Sequence, residues 1–510
     1  MGMPSSPALP ASFRQGFADL LAEILTSLAP GAALGPLEEL VEVPPDPKLG
    51  DLAFPCFPLA RVLRRPPAAI AADVAAKAAE HRAKAAWLEA VEAVGGYVNA
   101  RIAPQAYAAA GLGRALEEGA DFGRGKAETT DPVVIDFSSP NIARPFSITH
   151  LRSTVIGHAL SRIFAFLGYR VVRINYPGDW GTQFGKLLVG YRLWGQEPDV
   201  QRLLAGNEPV KGLLAIYVRF HQEAERRPEL DDEARAWFKR LEDGDPEARR
   251  LWQEFRKLSL AEFERTYRLL GVEFDVVSGE SAFIDRIEPT LARLREAGLL
   301  SESQGALVVA LRPEDVGEEA GAEVPPCILQ KSDGATIYAT RDIAAALARW
   351  EQYRFHQLLY VVGAQQSLHF KQVFGVLRRL GVEWVERCHH IPFGYMHFGG
   401  AVMSTRRGNI IFLEDVLREA IARTRQIIET RNPTLPDKDA VARQVGVGAV
   451  IFNDLRHNRI KDISFDWDEV LNFDGDTGPY VQYTHARAMS VWRKARAAAN
   501  GALEGIPLSA

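Results

Sequence analysis

Cysteine is scarce: three thiols, Cys56, Cys327 and Cys388, lie far apart in 510 residues with no CxxC pair. That spacing speaks against a zinc site and against a disulfide scaffold, and fits a reducing cytosol. The chain also lacks any run of about 20 apolar residues, so no membrane span is expected. No internal repeat is visible. The stretch from Met1 to Ala11 is rich in Pro, Ala and Ser but has no basic region followed by an apolar core. It reads as a disordered tail, not a secretory signal. An excess of positive charge is missing too: the formal net charge is −5. Bulk composition therefore does not advertise nucleic-acid binding, and local clusters must decide. Three basic clusters exist: Arg61, Arg64 and Arg65; Arg406 and Arg407; and Arg487, Arg493, Lys494 and Arg496. Each is equally readable as a solvated helix face.

What is present is globular, with 47% hydrophobic and 25% charged residues. The length suggests about three to four domains. Phe13, Phe17, Leu20, Leu21, Ile24 and Leu25 recur at helical spacing and predict a first helix. Residues 68–86 are Ala-rich and helical, and Gly95-Gly96 turns into a strand. VVIDF (133–137) reads as a buried parallel strand, followed by a helix from about His150 to Leu167 and a second strand over 170–175. Strand, loop, helix and strand begin a doubly wound nucleotide-binding sheet. Residues 195–265 predict a charged helical insertion, and 358–362 another buried strand ending at Gly363. From about Glu414 onward the pattern is helical.

The segment SSPNIARPFSITHLRST (138–154) sits where the first strand of this sheet hands over to a helix. Ligands of such sheets bind outside the carboxyl ends of the strands, and a helix N-terminus offers free N–H groups to a phosphate. His150 could donate to such a phosphate; alone, it could as well be a cap or surface residue. Asp342 could be a surface partner of Arg341 or Arg349, and His369 a buried structural histidine.

Six segments in order change that balance. SSPNIARPFSITHLRST resembles the arginyl-tRNA synthetase version of the class I "HIGH" signature. GDWGTQFG (178–185), SDGATIYATRD (332–342), and YVVG (360–363) leading to Gln366 and His369-Phe370 resemble further segments of that family. VMSTR (402–406) stands in the "KMSKS" place, and GPYVQYTHAR (478–487) resembles the opening of the family's anticodon-binding domain. The resemblance runs from about Pro45 to Arg496. It implies an α/β fold: an α+β N-terminal tRNA-binding domain (1–127), a Rossmann-like catalytic domain with its helical insertion (128–395), a KMSKS-loop and stem-contact region (396–475), and the start of a helical anticodon-binding domain (476–510). It implies ATP-dependent activation of L-arginine to arginyl-adenylate and transfer to tRNA(Arg), with Mg²⁺ accompanying ATP, no resident metal, no membrane, a monomer and a cytoplasmic location. No covalent enzyme intermediate is required, so positioning and charge stabilisation carry the chemistry.

By the same resemblance, His150, Arg144 and Arg406 serve catalysis. Ser147, Thr149, His150, His369, Met403 and Ser404 take ATP. Tyr338 and Asp342 line the guanidinium pocket, Asn141 and Gln366 hold the amino acid's backbone groups, and Glu280 adds an acid. Arg61, Arg64, Arg65, Tyr480 and Arg487 meet tRNA. A planar guanidinium suits a carboxylate, and Tyr338 and Asp342, four apart, share a helix face.

Three departures stand against the pattern. Ser147 and Thr149 replace the first His and the Gly of the signature, and a β-branched Thr149 should crowd adenine where glycine lets a base approach. Val402 replaces the leading lysine of the second signature; Arg144 occupies the place where some relatives carry a compensating lysine. The chain stops at Ala510, so only the first anticodon-domain helix, about 479–499, is expected, with Val481, Met489, Val491 and Trp492 on an uncovered apolar face. These departures motivate a rival: a truncated or repurposed paralogue that binds arginine or tRNA with weak or no aminoacylation. A third reading, a regulatory tRNA-binding protein, has no use for an arginine pocket.

Overall fold

The computed structural model describes residues 11–28, 30, 36–81, 85, 87–206, 208–332, 334–398 and 411–498. Val402, Met403, Ser404, Arg406 and Arg407, singled out above, lie outside the described residues. The chain divides into two compact units, Met1–Arg124 with Arg493–Ala510, and Gly125–Trp492.

In the first unit, helix Ala11–Leu28 buries Phe13, Phe17, Leu20, Leu21, Ile24 and Leu25, the stripe that their spacing predicts. It packs in one core with residues of helix Pro67–His81 and of three strands: β1 (Leu52–Pro55), β2 (Leu88–Val94) and β3 (Tyr97–Ile102). The strands form an antiparallel sheet ordered β1-β3-β2. The β2–β3 hairpin turns at Gly95, whose φ of +58° is left-handed, and at Gly96, where a Cβ would lie 2.7 Å from Phe57 Cζ.

Ten further strands follow among the described residues: β4 (Val133–Asp136), β5 (Val171–Asn175), β6 (Val276–Val277), β7 (Leu300–Ser303), β8 (Ala306–Val309), β9 (Cys327–Gln330), β10 (Gln357–Tyr360), β11 (Cys388–His390), β12 (Met396–Phe398) and β13 (Ile463–Phe465). Five make a parallel sheet ordered β11-β10-β4-β5-β6. Chain order runs outward from β4 in both directions, so the switch point lies between β4 and β10. Val133, Val134 and Ile135 are wholly buried, which explains why β4 reads as an unbroken apolar run. Helices Pro198–Ala205, Pro209–Ala224, Glu229–Glu242 and Pro246–Leu270 fill the anticipated insertion.

Two features correct the reading of the sequence. The antiparallel sheet β7-β8-β9 was not anticipated. Its strands are four residues long and β7 is mostly exposed, so no hydrophobic alternation marks them. Its one local signal is Gln304-Gly305, both left-handed at the β7–β8 turn. The region after Glu414 is not wholly helical either, because β13 pairs in parallel with β12. A three-residue strand carries no readable period.

The insertion is sensitive to one methyl group. Gly185 lies in helix Thr182–Trp194, and a Cβ there would sit 2.0 Å from the Ala234 carbonyl oxygen of helix Glu229–Glu242. Gly185→Ala is expected to destabilise by about 1–3 kcal/mol and lower the melting temperature. Gly111 in helix Pro104–Glu118 has no neighbour within 4 Å of such a Cβ. Gly111→Ala should therefore raise stability by up to about 1 kcal/mol. Equal melting temperatures for the two variants would overturn this account of the contact.

Candidate active site

The loop leaving β4 bends through left-handed backbone at three non-glycine residues, Ser138 (φ 72°), Ser139 (φ 48°) and Ala143 (φ 58°). Each such residue costs about 1 kcal/mol or more and persists where its surroundings hold it. The Ser138 N–H donates to Ser153 Oγ at 2.9 Å, and Ser138 Oγ lies 2.8 Å from Thr154 Oγ1 and 2.9 Å from the Tyr267 hydroxyl. The Ala143 N–H donates to Ser259 Oγ at 2.9 Å. Ser153 Oγ in turn donates to the Val361 carbonyl at 2.6 Å, just past β10. One serine thus ties together the segments leaving both strands of the switch point.

The loop ends in a tight turn, Ile148–His150, that opens helix Leu151–Phe166. The backbone N–H of Ser147 lies 3.2 Å from His150 Nδ1. An N–H can only donate, so Nδ1 accepts and the ring proton is carried by Nε2. The Ser147 carbonyl, at 3.3 Å from Nδ1, is the farther contact. Burial, reinforced by the Arg144 charge, pushes the His150 imidazole down to about 4. The ring is therefore a neutral donor near pH 7. Thr149 is exposed, with Oγ1 2.7 Å from Ser147 Oγ. Arg144 reaches the helical insertion: Nη2 is 3.3 Å from the Tyr217 hydroxyl and Cζ stands 5.5 Å from that ring's centroid.

A second group gathers around the start of helix Tyr338–Tyr353. Tyr338 is half exposed, and Asp342 follows one turn later. Asp342 Oδ2 accepts from His369 Nε2 at 2.6 Å, and the His369 ring centroid is 4.8 Å from that of Tyr338. Arg341 Nε lies 3.0 Å from Glu280 Oε2 and Arg349 Nη2 lies 2.7 Å from Asp136 Oδ2. Neither arginine is the partner of Asp342, which corrects the simple salt-bridge alternative. Burial pushes the Glu280 carboxyl up to about 7; Arg341 opposes the rise and Asp342 adds to it.

The expected residues therefore fall into separate sets. Ser147, Thr149, His150 and Arg144 come together at the signature turn, whereas His369, expected among the ATP residues, lies on Asp342 and Tyr338. Asn141 bridges to Gly178, where a Cβ would lie 2.1 Å from Asn141 Oδ1 and would displace that amide. Gln366 is exposed at the end of the turn after β10. Arg61, Arg64 and Arg65 are exposed in the first unit, with Arg65 2.7 Å from Asp73. Tyr480 and Arg487 are exposed on helix Gly478–Ala498.

Several residues that shape the site were missed. Arg152, wholly buried, donates to the carbonyls of Gly394 (2.8 Å), Lys461 (2.8 Å) and Arg459 (3.2 Å), and its Nε is 3.2 Å from Asp454 Oδ2. Its only sequence signal was a charge two residues after His150 on an otherwise apolar helix face. Asp179, also wholly buried, accepts from Arg256 Nε at 3.0 Å and from the Ser281 N–H and hydroxyl at 2.8 Å. Asp136 sat unremarked inside a strand motif.

The five-stranded parallel sheet, with a histidine-bearing turn at its switch point and a helical insertion after its second strand, is a class I aminoacyl-tRNA synthetase catalytic domain, as the family match over these residues shows. Residues 112–467 match the family model described as "tRNA synthetases class I (R), catalytic domain", and residues 13–102 match "Arginyl tRNA synthetase N terminal domain". An arginine–tRNA ligase of Clostridium perfringens is 49% identical over 459 residues, 90% of this chain and 78% of the relative. One from Exiguobacterium sibiricum is 48% identical over 485 residues, 95% of this chain and 82% of the relative. The arginyl-tRNA synthetase structure from Thermus thermophilus superposes with a TM-score of 0.72 at 28% identity, covering 94% of this chain and 82% of that one. The Plasmodium falciparum arginyl-tRNA synthetase shares the fold at TM-score 0.70 and 21% identity, with 96% and 82% covered. The chain belongs to the arginyl-tRNA synthetase family.

The Arg152 clip is testable independently of catalysis. Burial holds the Asp454 carboxyl up at about 6 even beside Arg152. Arg152→Met leaves that acid without its cation and should destabilise by about 3–5 kcal/mol. Adding Asp454→Leu should recover much of the loss in melting temperature. A double variant no more stable than Arg152→Met would remove the pair from the account.

Proposed function

We infer that this chain is an arginine–tRNA ligase. It works in two steps, the first of which consumes ATP. The carboxylate of arginine attacks the α-phosphorus of ATP, forming arginyl-adenylate and releasing pyrophosphate. The terminal ribose hydroxyl of tRNA(Arg) then attacks the arginyl carbonyl, losing its proton, and AMP leaves. The observation that carries the assignment to arginine is the pair of largely buried carboxylates, Asp342 and Glu280, beside the carboxyl edge of the sheet, with side chains 18% and 19% exposed. Two neighbouring, partly buried acids, one partnered by Arg341 and the other by His369, suit a cation, and a guanidinium adds the planar donor set that a carboxylate accepts.

In this reading Asp342 and Tyr338 take the guanidinium, Asn141 and Gln366 hold the amino acid's own ammonium and carboxylate, and Glu280 supplies a further negative charge. His150 offers its neutral Nε2–H to a phosphate oxygen as charge builds there, and Arg144 supports the same end of the site. Ser147 and Thr149 flank the nucleotide, joined by Met403, Ser404 and Arg406. Mg²⁺ accompanying ATP would offset the charge of its phosphates. Arg61, Arg64, Arg65, Tyr480 and Arg487 meet tRNA, with the arginines suited to phosphates. The chain works as a monomer in the cytoplasm. No helix among the described residues is long and apolar enough to cross a membrane.

Charging of bulk bacterial tRNA with labelled arginine, ATP and Mg²⁺ tests the whole reading. Acid-precipitable counts that rise with time support it. A folded chain that binds arginine without charging would favour the repurposed alternative that Thr149 and Val402 motivate.

Two variants test the pocket. Asp342→Ala should raise the arginine KM roughly a hundredfold or more, because breaking a buried charge contact costs about 3–5 kcal/mol; an unchanged KM would remove Asp342 from the pocket. Glu280, held up to about 7 by burial, is mostly neutral at pH 6 and mostly charged at pH 8. The arginine KM should therefore fall as pH rises through 7, and Glu280→Gln should flatten that dependence. A profile identical in both proteins would exclude Glu280.

A further inference from the structure

A carboxylate that must meet a planar guanidinium has an orientation problem. An aspartate side chain rotates about two bonds, and each oxygen presents two lone pairs. Asp342 is four residues into its helix, and its Oδ2 accepts from His369 Nε2 at 2.6 Å. An ionised carboxylate has no proton to give, so His369 is the donor. His369 comes from a different element, the first turn of helix Ser367–Arg379, just beyond β10. Its side chain is only 9% exposed. Its ring is held on two sides, 4.8 Å from Tyr338 and 5.1 Å, edge on, from Phe370. Phe370 stacks at 4.6 Å on His390 of β11, whose Nε2 lies 2.9 Å from the Val362 carbonyl. The donor is thus fixed through packing that reaches β11 and the segment after β10.

We propose that His369 is a positioning residue for arginine: by occupying Asp342 Oδ2 it fixes the carboxylate plane and leaves Oδ1 to receive the guanidinium beside Tyr338. This rests on the reading of Asp342 as the guanidinium ligand. It moves His369 from the ATP side of the site, where the family resemblance put it, to the amino-acid side.

The test separates donor, ring and nucleotide roles by steady-state aminoacylation, measuring KM for arginine and for ATP in four variants. His369→Ala and His369→Phe both lose the donor, and Phe keeps an aromatic ring in place. Each should raise the arginine KM about tenfold, the scale of one lost charge-assisted hydrogen bond that orients a ligand, with the ATP KM unmoved. His369→Gln keeps an N–H donor at similar reach and should return the arginine KM to within about threefold of the parent. A wild-type arginine KM in His369→Phe would overturn the proposal, because the ring alone would then suffice. So would a rise confined to the ATP KM, which would return His369 to the nucleotide. Asp342→Asn is the control for the underlying reading. If it leaves the arginine KM unmoved, the pocket itself is misassigned. If it raises that KM while His369→Phe does not, Asp342 stands and the role given to His369 falls.

Discussion

Arg349 and Asp136 meet at 2.7 Å with both side chains almost fully buried, at the carboxyl end of the central strand. Two charges out of water at that depth are costly unless each stabilises the other. Asp136 also accepts from Ser139 Oγ at 3.0 Å, so the same carboxylate holds the strained loop that leaves β4. The rings of Tyr176 and Tyr360 stand 5.0 and 5.4 Å from the guanidinium carbon and supply π faces to the cation. Arg349 lies in the helix that begins at Tyr338 and carries Asp342. The interaction therefore fixes two things at once: where the first signature leaves the sheet, and where the helix that carries Asp342 stands against it. A neutral side chain in place of Arg349 would leave Asp136 buried without its cation, where burial pushes the carboxyl up toward its neutral form.

Around that pair, acids and bases are matched locally. Glu280 has Arg341, Asp342 has His369, Asp179 has Arg256, and Asp454 has Arg152. Each match joins segments far apart in sequence or in different elements, so the charges also specify tertiary geometry. The net charge of −5 conveys nothing of this. Electrostatic order here is a property of neighbours and not of totals, which is why composition was a poor guide to nucleotide and tRNA chemistry.

The sequence disclosed those parts of the architecture that carry a period or a motif. β4 was legible because burial on both faces makes its first three residues uniformly apolar, β5 and β10 because short apolar runs mark them, and the four-helix insertion because its charged faces repeat at helical spacing. The strands β7, β8, β9 and β13 were not: β7 is mostly exposed, and none of the four carries the fully buried apolar run that marks β4. Among site residues, His150, Asn141, Tyr338 and Asp342 could be named from motif order. What each touches could not. Asp342 faces two arginines within seven positions of it in sequence, yet bonds to a histidine 27 positions away. Pairing at that range is decided by which strand edges meet, and no local pattern encodes it. Arg152 was hidden more deeply, since a buried arginine is the exception to the expectation that charge lies outside.

The donors of Arg152 have a consequence in time. Its carbonyl acceptors at Gly394 and Lys461 lie 242 and 309 residues downstream. A ribosome adding about 5–20 residues per second needs roughly 15–60 s to travel the longer distance. For the first 242 residues of that interval the helix behind the first signature can form and pack on β4 and β5 while its arginine has none of these carbonyl acceptors. The carbonyls that receive Arg152 are therefore synthesised only after the insertion and all five strands of the parallel sheet.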